Sequence, residues 1–253
     1  IATRVTQLAS WTDVVLPGDV QGSIDELVAR IRHRHTVFEA WGFDRLMTAP
    51  RGVTALVQGE RGTGKTLVAG AIANDLGVDL YRIDLAGALA TWSGETEQNL
   101  GQVFDAAEQA QAVLLLEQAE ALVEERAGTA TRDVARAYLL QRLDACDGVV
   151  ILTVSAGTAI DEAVARRISA QLTLPFPDEA ARERLWRVHL PADLPVRGTL
   201  DLAALARQNR MSGGAIRDAA LRAAFLAAAE GSPIAQEHLE RAVGAELLEA
   251  ADR

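Results

Sequence analysis

Cysteine and positive charge are both scarce in this chain of 253 residues, and long apolar runs are missing from it. The single cysteine, Cys146, has no partner for an intramolecular disulfide, which indicates a reducing compartment, so we expect a cytoplasmic protein. Lys and Arg number 25 against 35 Asp and Glu, which gives a formal net charge of −10. Because a grip on the nucleic-acid backbone needs a basic face, we do not expect a nucleic-acid partner.

The longest apolar runs, at 113–116 and 149–152, fall far short of the roughly 20 residues that cross a bilayer. No basic and then apolar leader follows Ile1, so we expect neither a secretion signal nor a membrane partner. Hydrophobic residues make up 49% of the chain and charged residues 24%, which is the composition of an ordinary globular protein.

Short apolar runs alternate with amphipathic segments through the middle of the chain. They predict strands at 53–58, 80–85, 112–116, 149–155 and 171–176, and helices at 24–41, 64–76, 95–109 and 132–144. Parallel strands need a crossover of about a dozen or more residues, and the helices supply it. The pattern therefore predicts an α/β domain whose parallel sheet is sandwiched by helices.

Beyond residue 177 only helical patterns follow, at 179–189, 200–208, 214–230 and 235–250. The change is marked by prolines at positions 175, 177, 191 and 195, which neither a helix interior nor a central strand accommodates. We predict three regions: an N-terminal segment with a helix at 1–50, the α/β domain at 51–177 and a small all-helical domain at 178–253.

One loop between a predicted strand and helix matches the pattern G-x-x-x-x-G-K-[ST]. Its residues are Gly59, Glu60, Arg61, Gly62, Thr63, Gly64, Lys65 and Thr66. Glycines let backbone N–H groups converge on an anion, and the following helix N-terminus adds a favourable field. Lys65 would reach the β- and γ-phosphates, and Thr66 would place its hydroxyl on Mg²⁺. A glycine-rich turn that fits by chance is the alternative, but the strand–helix context favours binding of ATP or ADP with Mg²⁺.

A second acidic strand end follows, with the sequence Val-Leu-Leu-Leu-Glu-Gln-Ala-Glu-Ala-Leu at 113–122. It resembles the AAA+ ATPases, a family of P-loop NTPases in which four apolar residues precede Asp-Glu-Ala-Asp-Ala-Leu. The resemblance implies that Glu117 replaces the metal-side Asp and that Gln118 replaces the catalytic Glu. An alignment with the family motif shifted by one residue would make Glu117 the catalytic acid. It would also put Leu116 at the metal and point every side chain of the strand to the opposite face of the sheet.

The resemblance implies impaired hydrolysis as well as ATP binding. Glu117 keeps a carboxylate for Mg²⁺ with one extra methylene, whereas Gln118 cannot accept a proton from the attacking water. A positioned general base contributes typically 10²–10⁴ in rate. Ser155 stands where the family has Asn to orient that water; it has a shorter reach, and an ordinary strand-end serine is an equal alternative.

Other family marks are arginines and an aromatic residue. By resemblance, Arg166 and Arg167 supply arginine fingers to a neighbouring subunit, with a solvated basic pair as the alternative. Arg217, in the first turn of a predicted helix, resembles the arginine that senses nucleotide phosphates. Trp92 precedes Gly-Glu-Thr-Glu as an aromatic pore-loop residue does in a hexameric ring that grips polypeptide; a partly buried surface tryptophan is the alternative.

Within the family, the chain most resembles the AAA ATPases of bacterial phage-tail-like contractile injection systems. The stretches that carry this resemblance are 41–43, 138–143, 175–178 and 213–221. The resemblance implies a homo-oligomeric, hexameric ring that acts on a protein substrate or assembly.

Three functions compete. The first is a protein-remodelling AAA+ ATPase with weak turnover, and the second is a nucleotide-binding pseudo-ATPase with a structural or regulatory role in a ring. The third, a DNA-directed motor, is disfavoured by the acidic balance.

Overall fold

The computed structural model describes residues 2–45, 51–124 and 130–251. Backbone proximity divides the chain into two compact units. The first comprises the chain up to Val14, Gly18–Gly59 and Lys65–Leu174; the second comprises Val15–Pro17, Glu60–Gly64 and the chain from Pro175 onward. Each unit has its own hydrophobic core.

Within the described residues, six strands form the sheet of the first unit. They are β1 (Ala2–Arg4), β2 (Val53–Gly59), β3 (Leu80–Asp84), β4 (Val113–Glu117), β5 (Val149–Val154) and β6 (Ala170–Leu174). Their order is β1-β3-β4-β5-β2-β6, and every neighbouring pair is parallel except β1 with β3. Because β2 to β6 run parallel, the residues that follow β2, β4 and β5 meet at one edge of the sheet.

Helices connect these strands. They are α1 (Gly18–His35), α2 (Lys65–Leu76), α3 (Leu85–Ala90), α4 (Gly94–Gln109), α5 (Glu120–Val123), α6 (Ala130–Ala145) and α7 (Glu162–Ala165). β2 and β5 are buried along their whole length, as expected of strands covered on both faces. Side chains of β4 and β5 pack with those of α4 and α6 in the main core, which includes Leu100, Phe104, Leu114 and Leu139.

In the described part of the second unit there are four further helices: α8 (Glu179–His189), α9 (Leu202–Gln208), α10 (Gly213–Ala229) and α11 (Gln236–Ala251). Side chains of Asp178, Asp201 and Ser212 accept backbone N–H groups at the starts of α8, α9 and α10. Trp186 and Ile216 are fully buried in this core.

The structure confirms the predicted α/β class, with the five predicted strands present as β2–β6. The sequence pattern missed β1, whose residues are exposed or half-buried and show no apolar signal. The predicted helix at 24–41 was wrong in its bounds. α1 begins at Gly18, and the apolar pattern missed this start because the first turn is mostly polar. At the other end α1 stops at His35, and a short π-helix, Thr36–Ala40, follows it. No helix among the described residues combines the length and apolarity needed to span a bilayer.

Candidate nucleotide-binding site

A tight loop joins β2 to α2 and holds the motif residues. β2 ends at Gly59 and α2 begins at Lys65, so the five residues between them turn the chain. Gly62 (φ 79°) and Gly64 (φ 98°) adopt left-handed backbone conformations, which glycine tolerates without strain. Turns of this kind form concave nests of N–H groups that bind anions.

Gly62 also lies too close to its neighbours to carry a side chain. A Cβ atom at Gly62 would lie 2.4 Å from Oγ of Ser212. The carbonyl oxygen of Gly62 accepts a hydrogen bond from the N–H of Gly214 at 2.9 Å. Within the second unit, residues 60–64 therefore pack on the N-terminal turn of α10.

The ammonium group of Lys65 is hydrogen-bonded to the last residue of β2. Its Nζ donates a hydrogen bond to the carbonyl oxygen of Gly59 at 2.6 Å. Burial lowers the pKa of Lys65, while the carboxylates of Glu120 and Glu117 oppose that shift. A half-desolvated cation bonded to a neutral carbonyl can exchange that oxygen for a phosphate oxygen, which is the stronger acceptor.

Thr66 and Glu117 supply oxygen ligands at the same place. The Thr66 hydroxyl donates a hydrogen bond to Oε1 of Glu117, and Oε2 of Glu117 lies 3.7 Å from Nε of Arg82 on β3. Leu116, in contrast, is fully buried in the core. A hydroxyl and a carboxylate fit Mg²⁺, which proteins hold through one or two such oxygens together with substrate phosphates. Among the described residues, no cluster of three His, Cys, Asp or Glu side chains is arranged to hold a metal ion.

Gln118 follows β4 directly and has an unusual backbone. Its φ is 56°, in the left-handed region that a non-glycine residue rarely adopts, and its side chain is exposed. The next residue, Ala119, donates its N–H to the carbonyl oxygen of Thr153 on β5 at 2.9 Å. The amide of Gln118 can donate to or accept from a water, but it is not a base at neutral pH.

Ser155 is bonded to a carboxylate three positions beyond Glu117. Both its N–H and its hydroxyl donate to Oε1 of Glu120, each at 2.8 Å. The predicted strand at 149–155 consequently ends one residue early, since the N–H of Ser155 turns to Glu120. The hydroxyl has a single proton, and in this structure Glu120 accepts it.

The two candidate finger arginines differ in their surroundings. Arg167 forms a two-pronged ion pair with Asp144, with N–O distances of 2.7 and 2.6 Å, and also donates to the carbonyl oxygen of Ala163. Only 15% of the Arg167 side chain is exposed. Arg166 is exposed at the end of α7, so it is the arginine of the pair that is accessible at the surface.

The last two candidates lie on other parts of the chain. Arg217 was predicted in the first turn of its helix, but α10 begins at Gly213, so Arg217 is its fifth residue and lies just beyond that turn. It pairs with its neighbour Asp218 at 2.9 Å. Trp92 is half-buried and lies two residues before α4, and its ring centroid is 5.9 Å from that of Tyr138 on α6. The Tyr138 hydroxyl donates to the carbonyl oxygen of Glu97.

Sequence reasoning missed two charged residues in this cluster. They are Glu120, which belongs to the motif at 113–122 without a predicted role, and Arg82. No sequence signal pointed to Arg82, because its nearness to Glu117 depends on the register in which Asp84 on β3 pairs with Glu117 on β4.

Comparison with known proteins agrees with this geometry. Residues 55–176 match the sequence model of the ATPase family associated with various cellular activities, AAA. The chain is 28% identical over 207 residues to Protein SAV of Sulfolobus acidocaldarius and 30% identical over 189 residues to the cell division cycle protein 48 homolog of Archaeoglobus fulgidus. It is 34% identical over 203 residues to the ATP-dependent zinc metalloprotease FtsH 1 of Salinibacter ruber.

These similarities cover 78%, 71% and 75% of the chain but only 26%, 25% and 29% of the three relatives, respectively. The chain thus spans about a quarter of the length of the proteins it matches. The family match begins within β2, includes the glycine-rich loop at 59–66 and extends through the ends of β4, β5 and β6. By sequence, residues 55–176 of this chain therefore resemble the AAA family of ATPases.

Proposed function

We propose that this chain is the ATP- and Mg²⁺-binding module of a ring-forming, protein-remodelling AAA+ ATPase whose hydrolysis is weak. The observation that carries the proposal is a contrast within one site. Lys65, Thr66 and Glu117 retain the groups that hold a magnesium nucleotide, whereas Gln118 supplies an amide where a base is needed. Similarity to an ATP-dependent zinc metalloprotease supports ATP as the nucleotide.

The chemistry of these residues divides into binding and turnover. Backbone N–H groups of the loop and the Lys65 ammonium would hold the phosphates, and Thr66 and Glu117 would hold Mg²⁺, which screens phosphate charge when bound. Gln118 can position a water without removing its proton. Loss of a general base costs typically 10²–10⁴ in rate, so ATP would remain bound far longer than in an intact site.

The ring, the substrate and the cellular context also belong to the proposal. Arg166, exposed at the end of α7, is the better candidate for a finger that reaches a neighbouring subunit; Arg167 would first have to leave Asp144. Trp92 would face a polypeptide in the ring pore only by leaving Tyr138. A hexamer within a contractile injection system, in the cytoplasm, is the context that the sequence resemblance favours.

A second candidate is a pseudo-ATPase whose bound nucleotide holds subunits together without turnover. The hydrogen bond from the Ser155 hydroxyl to Glu120 favours it, because that hydroxyl is then withheld from a water or phosphate. A residual rate of ATP hydrolysis distinguishes the first candidate from the second.

Paired binding and turnover measurements test the proposal. We expect the purified chain to bind ATP with Mg²⁺, to lose that affinity in Lys65→Ala, and to release phosphate slowly at saturating ATP. Arg61→Ala, an exposed change in the same loop, is the matched control for loss of a cation. Failure of the chain to bind ATP, or rapid phosphate release that Lys65→Ala abolishes, would each contradict the proposal.

A further inference from the structure

The ends of β4 and β5 are joined by a contact between two residues that both depart from the family pattern. Position 120 carries Glu where the AAA+ motif that 113–122 resembles has Asp, and position 155 carries Ser where that family has Asn. The Glu120 side chain is longer than Asp by a methylene, and the Ser155 side chain is shorter than Asn. The two changes compensate each other in length, and the carboxylate reaches the serine with two hydrogen bonds of 2.8 Å to one oxygen.

We propose that Glu120 is a positioning residue that holds the Ser155 hydroxyl away from the nucleotide. The inference rests on the proposed function for the presence of a nucleotide, but the contact itself does not depend on it. Within the described residues, both hydrogen bonds end on Oε1 of Glu120, and the serine has no second hydroxyl proton to offer. While this contact persists, Ser155 cannot donate to a γ-phosphate or to an attacking water.

The Lys65 ammonium interacts electrostatically with both Glu120 and Glu117. Hydrogen bonds to an ionised acceptor are about twice as strong as bonds between neutral groups. The Glu120–Ser155 contact therefore stabilises the connection between the strand ends and removes one hydrogen-bond donor from the site.

A double-mutant cycle on thermal stability tests the contact without any nucleotide. We expect Ser155→Ala and Glu120→Ala each to lower the midpoint of thermal unfolding by about 3–6 °C. The midpoint of the double variant should be no lower than that of the more damaging single variant. Glu120→Gln, which keeps an acceptor oxygen, should recover most of the loss. Glu26→Ala, an exposed change on α1 in the same unit, should add its effect to that of Ser155→Ala. Additive midpoints for Glu120→Ala and Ser155→Ala would overturn the proposal.

The affinities for ATP and ADP, measured with Mg²⁺, test the consequence. In Glu120→Ala the released hydroxyl should donate to the γ-phosphate and raise the preference for ATP over ADP by about tenfold, and this gain should vanish in the double variant. A preference that stays constant in Glu120→Ala would overturn the proposal. So would a tenfold loss of preference in Ser155→Ala alone, because Ser155 would then already contact the nucleotide.

Failure of the proposed function and failure of the positioning role give different results. If neither the parent chain nor any variant binds ATP, the proposed function fails, and the midpoints of thermal unfolding still decide whether Glu120 holds Ser155. If the parent chain turns over rapidly while the midpoints are non-additive and the preferences follow the expected pattern, weak turnover is wrong and the positioning role stands.

Discussion

The hydroxyl of Thr66, on the first turn of α2, donates a hydrogen bond to the carboxylate of Glu117 at the end of β4. This contact links the phosphate loop to the second acidic strand end. It exists because Glu117, unlike the buried Leu116, projects toward α2. Under the proposed function, a metal ion bound here would replace this hydrogen bond with contacts to both oxygens.

Removal of Mg²⁺ should therefore weaken ATP binding less in a variant that lacks the Thr66 hydroxyl. We expect chelation to weaken ATP binding by at least about tenfold in the parent chain, and by less than about threefold in Thr66→Val, because the variant has lost one of the metal ligands. Titration of a labelled nucleotide with and without chelator measures both. Thr173→Val, an exposed threonine on β6, is the control and should behave as the parent. An equal effect of chelation in Thr66→Val would contradict the metal role.

Two glycines with nearly equal backbone angles separate strain from crowding. Gly157 (φ 78°) has open space where a Cβ would lie, whereas a Cβ at Gly62 (φ 79°) would lie 2.4 Å from Ser212 Oγ. Gly157→Ala should cost about 1 kcal/mol of stability from backbone strain. Gly62→Ala should cost at least about 1 kcal/mol more, since Ser212 must move. Denaturant unfolding of both variants tests this, and equal losses would count against the crowding at Gly62.

The neighbouring arginines should differ in their effect on folding. Arg167 is mostly buried and two-pronged on Asp144, so Arg167→Ala should destabilise the chain by about 1–3 kcal/mol. Arg166→Ala changes an exposed side chain and should fall within about 0.5 kcal/mol of the parent. Unfolding of the separate, unassembled chain measures these effects. The reverse order would mean that the ion pair with Asp144 does not contribute.

The helical unit should lose stability in acid through one identified carboxylate. Hydrogen bonds from His238 and then from Arg241 lower the pKa of Glu230 in the folded chain. A depressed folded pKa means that the stabilisation is complete above the ordinary carboxyl pKa, about 4.3, and is lost as pH falls below it toward the folded pKa. Thermal midpoints between pH 6 and 3 should fall less steeply in Glu230→Gln than in the parent.

The control for that prediction is Glu240→Gln, which changes an exposed carboxylate on α11 that accepts a hydrogen bond from Gln236. We expect its midpoints to follow the parent profile more closely. A Glu230→Gln profile as steep as that of the parent would show that the acid sensitivity originates elsewhere.

Local patterns were sufficient to predict most of the fold. Strands β2 to β6 and the glycine-rich loop are each recognisable from a few neighbouring residues. The type and order of these elements could therefore be predicted from the sequence. The register argument at Glu117 also relied on adjacent residues and on the alternation of strand side chains. β1 escaped prediction because its pairing with β3 supplies its structure, while its own side chains show no apolar pattern.

Contacts between distant positions could not be predicted in the same way. Glu120 and Ser155 are 35 positions apart, and Arg167 and Asp144 are 23 apart. Each contact depends on how far a flexible side chain reaches across the folded sheet or between helices. The positive φ of Gln118 likewise arises from the bond between Ala119 and Thr153, which only the assembled strands provide.

Restoring the missing acid tests weak turnover most directly. Phosphate release at saturating ATP and Mg²⁺ should be compared in the parent chain, in Gln118→Glu, in Gln118→Glu combined with Glu117→Asp, and in each with Lys65→Ala added. We expect a low parental rate and a rise of about 10²–10⁴ in Gln118→Glu or in the double variant, in each case abolished by Lys65→Ala. A parental rate that already equals that of the restored variants and disappears with Lys65→Ala would contradict the central claim.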